Sequence, residues 1–332
     1  MAKLNKAQRG VFVAGERVQL TGPKGRLNTI TLVKGANFGT HRGDIKHDDI
    51  IGQPDGSVIK NGAGVEYLAL RPLLTDFVLS MPRGAAIIYP KDAASIVTMG
   101  DIFPGAKVIE AGVGSGALSM YLLRAIGDSG ELTSFERRSE FADIAKANVA
   151  TQFGTEPENW KVLIGSLEVE MKKNIESASI DRVVLDMLAP WECIDAVSKV
   201  LIPGGVLICY VATVTQLSRV AEEIRSTGQY AEPEAFESLV RGWHLQGLAV
   251  RPEHRMGGHT GFLLTARRLA PGAVLPSFSR RAKPEFDDED LAVWNPDHLG
   301  ERGVSEKKLR KSVRSAQRAA EAKLDTPTEN DE

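Results

Sequence analysis

An α/β fold, in which a mostly parallel sheet follows a small β-rich domain, is predicted from three features of the chain. Residues 107–110 form an apolar strand pattern that meets glycines at 112, 114 and 116 and then a helical pattern with Leu118, Leu122 and Ile126 on one face. From 106 to 270 strand-like and helix-like patterns alternate, as βαβ units do. Residues 11–70 instead carry short alternating stretches between turn clusters.

In the first part, Arg17–Thr21, Thr29–Val33 and Ser57–Lys60 read as strands, and 22–25 (Gly-Pro-Lys-Gly) and 54–56 (Pro-Asp-Gly) as hairpin turns. Five or six strands in a barrel or sandwich are expected over residues 1–75. His41, Asp44, His47, Asp48 and Asp49 read as a solvated polar loop, and no metal is expected. A helical run at 72–79, a break at 81–84 and an extended piece at 87–92 lead to a helix from Ala93 to Met99.

The second part, residues 76–270, has strands at 107–110, 132–136, 161–164, 181–186 and 206–211. Ser139 is expected to cap a helix running to Gln152. A helix from Trp191 to Leu201 should stop at 203–205 (Pro-Gly-Gly), and another spans Thr215–Arg225. The runs Trp243–Val250 and Gly261–Arg267 are expected to pair as an antiparallel edge. Residues 271–332 form a charged extension. Within it 286–291 is acidic, 294–296 is turn-like, 306–323 is a basic helix that is solvated or touches RNA, and 326–332 is expected to be disordered.

The chain has 332 residues, a length that fits one large domain or two. A net charge of −2 excludes coating of nucleic acid by overall charge, so cations that meet RNA must gather locally. Lys24, Arg26, Lys34, Arg42, Lys46, Arg251, Arg255, Arg267 and Arg268 are the expected patch. No apolar run approaches the roughly 18 residues of a membrane span. The first residues lack a secretory apolar core, and Cys193 and Cys209 read as buried thiols. A cytoplasmic protein is expected.

The chemistry centres on the glycine turn. Without side chains there, a ligand can lie against backbone at a helix N-terminus. Twenty residues past Gly116, a strand ends in Glu136, where a carboxylate would grip ribose hydroxyls. Together they indicate a nucleoside cofactor. The dinucleotide fingerprint is G-x-G-x-x-G, but the spacing here is G-x-G-x-G with Glu110 just before it. S-adenosylmethionine is cationic and lacks phosphate, so it suits that acid better than a dinucleotide does. Asp186 ends the strand 181–186 before Met-Leu-Ala-Pro-Trp, a carboxylate beside a flat apolar surface. It could orient a planar base by accepting from its amine, or act as a helix cap or cofactor contact.

Residues 108–118 (Val-Ile-Glu-Ala-Gly-Val-Gly-Ser-Gly-Ala-Leu), 89–92 (Tyr-Pro-Lys-Asp), 186–191 (Asp-Met-Leu-Ala-Pro-Trp), 210–217 and 259–263 (His-Thr-Gly-Phe-Leu) resemble the bacterial and archaeal tRNA (adenine-N1)-methyltransferases. The likeness spans about residues 10–270 and leaves the tail unmatched. It implies a class I, Rossmann-like methyltransferase that uses S-adenosylmethionine to methylate N1 of adenosine 58 in the tRNA T-loop, as a homotetramer. The turn itself offers Glu110, Gly112 and Gly114 to the cofactor, and the resemblance puts it against Ser115, Gly116, Ala117 and Leu118, with Glu136 on ribose, Gly165 and Ser166 near adenine, and Asp186 close by. It makes Asp186 the catalytic aspartate and Tyr89 a holder of the flipped adenine, with Arg255 and His259 near the RNA. On the motifs alone, an isoaspartyl or other class I methyltransferase, a nicotinamide oxidoreductase and a non-catalytic RNA-binding module remain open.

Overall fold

Alternation of buried and exposed residues builds the N-terminal sheet. Strands β1 (Arg17–Thr21), β2 (Leu27–Thr31), β5 (Ser57–Lys60) and β6 (Glu66–Leu70) pair antiparallel in the order β2-β1-β6-β5. Strands β3 (Asn37–Thr40) and β4 (Gly43–Lys46) add a hairpin, which makes six strands among the described residues. Phe12, Val18, Leu20, Leu32, Ile45 and Ile59 turn inward together. Two members of the polar loop have structural roles. His47 is buried and its Nδ1 accepts from Val33 N–H at 3.0 Å, and Asp48 accepts from Gly35 N–H at 3.1 Å. The computed structural model describes residues 9–276 and 305–324. The expected acidic run at 286–291, the turn at 294–296 and the segment 326–332 lie outside the described residues.

Helix α1 (Leu74–Ser80) joins the two parts. The Arg17 guanidinium lies over the Phe77 ring at 4.7 Å and donates to Ser80 Oγ at 3.3 Å, so the β-rich domain is held against this helix. Helix α2 begins at Pro90 and runs to Met99, three residues earlier than expected, because Pro90 is pre-set for a first helical position.

The large sheet has seven strands in the order β12-β15-β11-β10-β7-β8-β9. Its parallel members are β7 (Lys107–Ala111), β8 (Glu131–Glu136), β9 (Trp160–Ile164), β10 (Ile180–Asp186) and β11 (Leu201–Val211). Helices α3 (Ala117–Ile126), α4 (Ser139–Phe153), α5 (Leu167–Asn174), α6 (Ile194–Val200) and α7 (Val214–Thr227) connect them. Successive strand residues enter opposite cores. Val108, Val184 and Ile208 face α2, α3 and α4, whereas Ile109, Val183 and Leu207 face α5, α6 and α7. Burial on both faces explains the near-continuous apolar strands. The chain winds outward from β7 to β9, then returns to β10 on the other side of β7. The sheet therefore reverses between β7 and β10, where ligands of such folds bind.

Four expectations are corrected here. Ser139 is the first residue of α4 rather than its cap. Arg138 holds the capping position without a side-chain bond, its N–H donating to Glu136 Oε1 at 3.1 Å. The predicted helix at 191–201 divides into a 3-10 turn, Pro190–Cys193, and α6. Strand β11 then begins at Leu201 and passes through 203–205, because the pairing with β10 jumps from Leu201 to Val206 and Gly204 takes up the bulge at φ +81°. Residues 243–250 do not pair with 261–267. Strands β13 (Trp243–Gln246) and β14 (Ala249–Pro252) form their own hairpin, while β15 (Phe262–Arg267) pairs antiparallel with β11 and with β12 (Glu234–Phe236).

The basic helix, α8 (Glu306–Leu324), is not simply solvated. Ala316 is fully buried against Ile144 and Ala147 of α4, with Leu309, Val313 and Ala320 packed around it. Cys193 and Cys209 are free and buried. No helix among the described residues is long and apolar enough to cross a membrane.

Candidate active site

The reversal point brings the tips of β7, β8 and β10 together, and each glycine of the turn has a different physical reason. At Gly112 a Cβ would sit 1.8 Å from the Asp186 carbonyl oxygen, so the residue is required by contact between β7 and β10. At Gly116 a Cβ would press on the Ala145 backbone at 3.2 Å, so that glycine lets α4 close on the turn. Gly114, at φ +54°, meets nothing nearer than Gly112 O at 4.0 Å. It is the open surface of the three and the place where a ligand can lie on bare backbone.

Three carboxylates surround this surface. Glu136 accepts from Gly114 N–H at 3.2 Å and from Arg138 N–H at 3.1 Å, which ties β8 to the turn. Glu110 is fully buried beneath the turn, where its Oε2 accepts from Ser134 Oγ at 2.6 Å and Ser119 Oγ at 2.7 Å. Its Oε1 has no partner among the described residues, nor has the buried Ser115 Oγ. Asp186 is half-buried, and its carboxylate accepts no hydrogen bond among the described residues. Burial raises the Glu110 carboxyl to about 7, against the lowering effect of its two serine bonds, and the nearby Asp186 and Glu136 charges add to the rise. Burial, then the Glu136 charge, raises Asp186 to about 7 as well. Glu136 is balanced by Arg138 Nε at 3.7 Å, whereas the raised pair Glu110 and Asp186 favours a cation beside it.

Ala117 and Leu118 turn their side chains into the core and leave the backbone N–H groups of the first helical turn as their contribution. Gly165 adopts φ +143° and donates to Glu136 O at 2.8 Å. Ser166 precedes α5 and accepts from Glu170 N–H through its carbonyl at 3.0 Å. Both are half-buried beside the β8 tip.

A second group of residues lies beyond the tip of β11. Tyr89 is exposed, and its carbonyl accepts from Asp92 and Ala93 N–H at 2.9 Å at the start of α2. Asp92 is fully buried and accepts from Lys91 Nζ at 2.6 Å, Ser238 Oγ at 3.0 Å and Thr260 Oγ1 at 2.6 Å. The Tyr210 hydroxyl donates to Thr260 O at 2.9 Å. A Cβ on Gly261 would strike the Tyr210 ring at 2.3 Å, so this glycine admits the tyrosine. Burial first, then the Asp92 and Asp186 charges, keep the Tyr210 hydroxyl protonated. His259 places Nδ1 3.0 Å from Glu237 Oε2 and Nε2 3.0 Å from Ala212 O. Two acceptors favour the imidazolium, and these bonds raise its pKa.

A family model described as "tRNA methyltransferase complex GCD14 subunit" matches residues 67–248, more than half of the chain, and one described as "TrmI-like N-terminal" matches residues 10–59. The chain belongs to this methyltransferase family. Among its relatives, the tRNA (adenine(58)-N(1))-methyltransferase TrmI of Thermus thermophilus is 33% identical over 249 residues, 74% of this chain and 94% of the relative. The SAM-dependent O-methyltransferase of Thermotoga maritima superposes with a TM-score of 0.72 at 28% identity, covering 82% of this chain and 97% of that one. TrmI of Aquifex aeolicus superposes at 0.68 and 26% identity, covering 79% and 100%. The chain is therefore an S-adenosylmethionine-dependent methyltransferase, with the class I fold and a small N-terminal β domain.

The site fits that cofactor. The open Gly114 surface, the orphaned Ser115 Oγ and Glu110 Oε1, and the raised carboxyls suit a neutral nucleoside carrying a sulfonium and an ammonium. The structure brings Glu110, 112–118, Glu136, Gly165, Ser166 and Asp186 into one cleft. Tyr89 and His259 join the second group. Arg255 lies on an exposed loop with no side-chain hydrogen bond or ion pair among the described residues. The expected cationic patch is corrected at two positions. Arg267 pairs in register with Val206, at the end of the sheet away from the cleft, and donates to Gly204 O. Arg268 donates to Ser198 O at 2.9 Å and lies over the Tyr230 ring. Lys91, Asp92, Tyr210 and Thr260 received no role from sequence. Asp92 and Thr260 lie 168 residues apart, and an acid directly after a lysine was the available signal.

Proposed function

We propose that this chain methylates N1 of adenosine 58 in the tRNA T-loop. The observation that carries this reading is Asp186, a half-buried carboxyl raised by its burial and accepting from no donor among the described residues, at the reversal point beside a surface suited to S-adenosylmethionine. Bound there, that cofactor supplies an electrophilic methyl carbon. The target base leaves its stack to reach it. Asp186 accepts from the exocyclic amine, which orients the ring and raises electron density at N1. With the cofactor held there, the N1 lone pair would take the methyl carbon and the sulfur would keep the electrons of the broken bond. The positive charge would then lie on the purine beside Asp186, where the carboxylate stabilises it. Tyr89 lines the base, Glu136 holds the cofactor ribose, Gly165 and Ser166 flank its adenine, and His259 and Arg255 meet RNA at the rim.

The proposed division is a β-rich domain at 1–75, a catalytic domain at 76–270 and an extension from 271. We read the active form as a cytoplasmic homotetramer. The hairpin of β13 and β14 supports that assembly, because Trp243, Leu245, Leu248 and Val250 are exposed together on it and a second copy would cover them. Mass analysis of nucleosides from unmodified tRNA, incubated with pure protein and S-adenosylmethionine, tests the reaction. N1-methyladenosine at one T-loop position is expected. An unmodified T-loop, or methyl groups on another base, would overturn it.

A further inference from the structure

We propose that the outer face of α8 is a contact surface for the phosphate backbone of the tRNA substrate, an inference that rests on the tRNA reading above. Two stripes run along this helix with the same spacing, offset by two residues. Leu309, Val313, Ala316 and Ala320 form the packed stripe against α4. Lys307, Lys311, Arg314 and Arg318 follow the identical i, i+4, i+7, i+11 pattern, and at 100° per residue they point directly away from the packed stripe. All four are exposed, and among the described residues none pairs with a carboxylate. At about 1.5 Å per residue the stripe is about 16 Å long.

Docking on α4 does not require these cations. Like charges three and four residues apart weaken a helix, and Arg310 paired with Glu306 shows the alternative that this same helix uses elsewhere. In a chain of net charge −2, four same-sign side chains in one line supply the local field that a polyanion needs.

The placement of α8 points to the substrate. Leu309 packs with Ile144, and both lie with Phe141 around Gly84, in the half of α4 that follows the β8 tip and Glu136. Ser312 Oγ donates to Arg83 O at 2.9 Å. A Cβ on Gly84 would meet Leu309 Cδ1 at 2.9 Å, so the chain passes tightly under α8 just before it reaches Tyr89. The first turns of α8 therefore stand on the cleft side of the sheet. RNA phosphates beyond a base held at Asp186 are the occupant that this charge and this position fit.

The test replaces Lys307, Lys311, Arg314 and Arg318 together by Gln in the full chain, with a charge-preserving control (K307R, K311R, R314K, R318K). Binding of unmodified tRNA is measured against KCl, beside KM and kcat for methyl transfer and the Kd of S-adenosylmethionine. In the Gln variant KM for tRNA should rise about tenfold or more at moderate salt, and the slope of log affinity on log salt should flatten by about three. Melting temperature, cofactor affinity and kcat at saturating tRNA should hold, and the control should match wild type. An unchanged KM and salt slope, or a change of oligomeric state in place of a tRNA effect, would overturn the proposal. Wild-type protein that binds tRNA but methylates none would remove the reaction proposed above, and the binding shift would still decide the role of α8.

Discussion

The cleft joins two halves held together by different means. The cofactor half, from Lys107 to Glu136 with the tip of β10, is made of neighbours in sequence and adjacent parallel strands, and its turn is fixed through its own backbone, with Gly112 N–H donating to Phe135 O at 3.0 Å and Gly114 N–H to the Glu136 carboxylate at 3.2 Å. The substrate half joins α2, the 238–260 segment and β11 through side chains, with Asp92 bonded to Lys91, Ser238 and Thr260. The first rests on strand pairing, backbone N–H groups of the turn and two carboxylates bonded at its base. The second can loosen one hydrogen bond at a time, a property suited to admitting and releasing a large substrate.

The largest expected effect separates Gly112 from Gly114. Gly112→Ala places a methyl group 1.8 Å from the Asp186 oxygen at φ +91°, and should cost about 3 kcal/mol or more, a fall in melting temperature of about 10 °C. Gly114→Ala meets nothing nearer than Gly112 O at 4.0 Å and should cost only about 1–2 kcal/mol of backbone strain. It should nevertheless weaken S-adenosylmethionine at least tenfold, because the ligand would meet the added methyl group. Thermal unfolding and calorimetry on both variants check this. Equal melting temperatures would show that the β7–β10 contact does not set the requirement at Gly112.

Next comes Asp186, where the two halves meet. Asp186→Ala should lower kcat by about 10²–10⁴ with the fold intact. The carboxyl is raised in the folded state from 3.8 to about 7, so its contribution to stability is complete below its ordinary value and is lost as pH rises toward 7. The variant should therefore melt no lower than wild type near neutrality. A bound cation pulls Asp186 and Glu110 back toward the ionised form, so cofactor affinity should rise with pH, level off above about 7 and release protons on binding. Calorimetry in two buffers of different ionisation heat reads those protons directly. A flat affinity across that interval would mean that the acids do not face the cation.

The same contrast governs what the sequence discloses. The cofactor half is legible because strand, glycine turn, helix and terminal acid occupy one short stretch, and their periodicities state their geometry. Even so, the glycine pattern does not say that Gly112 answers to Asp186 and Gly116 to Ala145, since both neighbours come from elsewhere in the chain. The substrate half is poorly legible. The distant partners of Asp92 leave no periodic trace, and the turn residues at 247–248 that fold 243–252 into a hairpin lie within an apolar run that reads as one strand. The docking of α8 escapes for another reason, since its packed stripe is two alanines, a leucine and a valine within a sequence dominated by charge.

The smallest expected effect falls on the substrate half alone. Asp92→Asn keeps the shape of the side chain and one acceptor oxygen, but removes the charge that Lys91 Nζ meets at 2.6 Å and puts an NH2 group where either Thr260 Oγ1 or the Lys91 and Ser238 donors now find an oxygen. The loss should be about 1–3 kcal/mol of local stability, the cost of a poorly compensated buried polar group. Hydrogen exchange should speed up over 238–261 and stay unchanged over 107–136. KM for tRNA should rise several-fold, while the Kd of S-adenosylmethionine stays within about twofold of wild type. If cofactor affinity fell with KM, the network around Asp92 would be part of the cofactor cradle, and the cleft would behave as one mechanical unit rather than two.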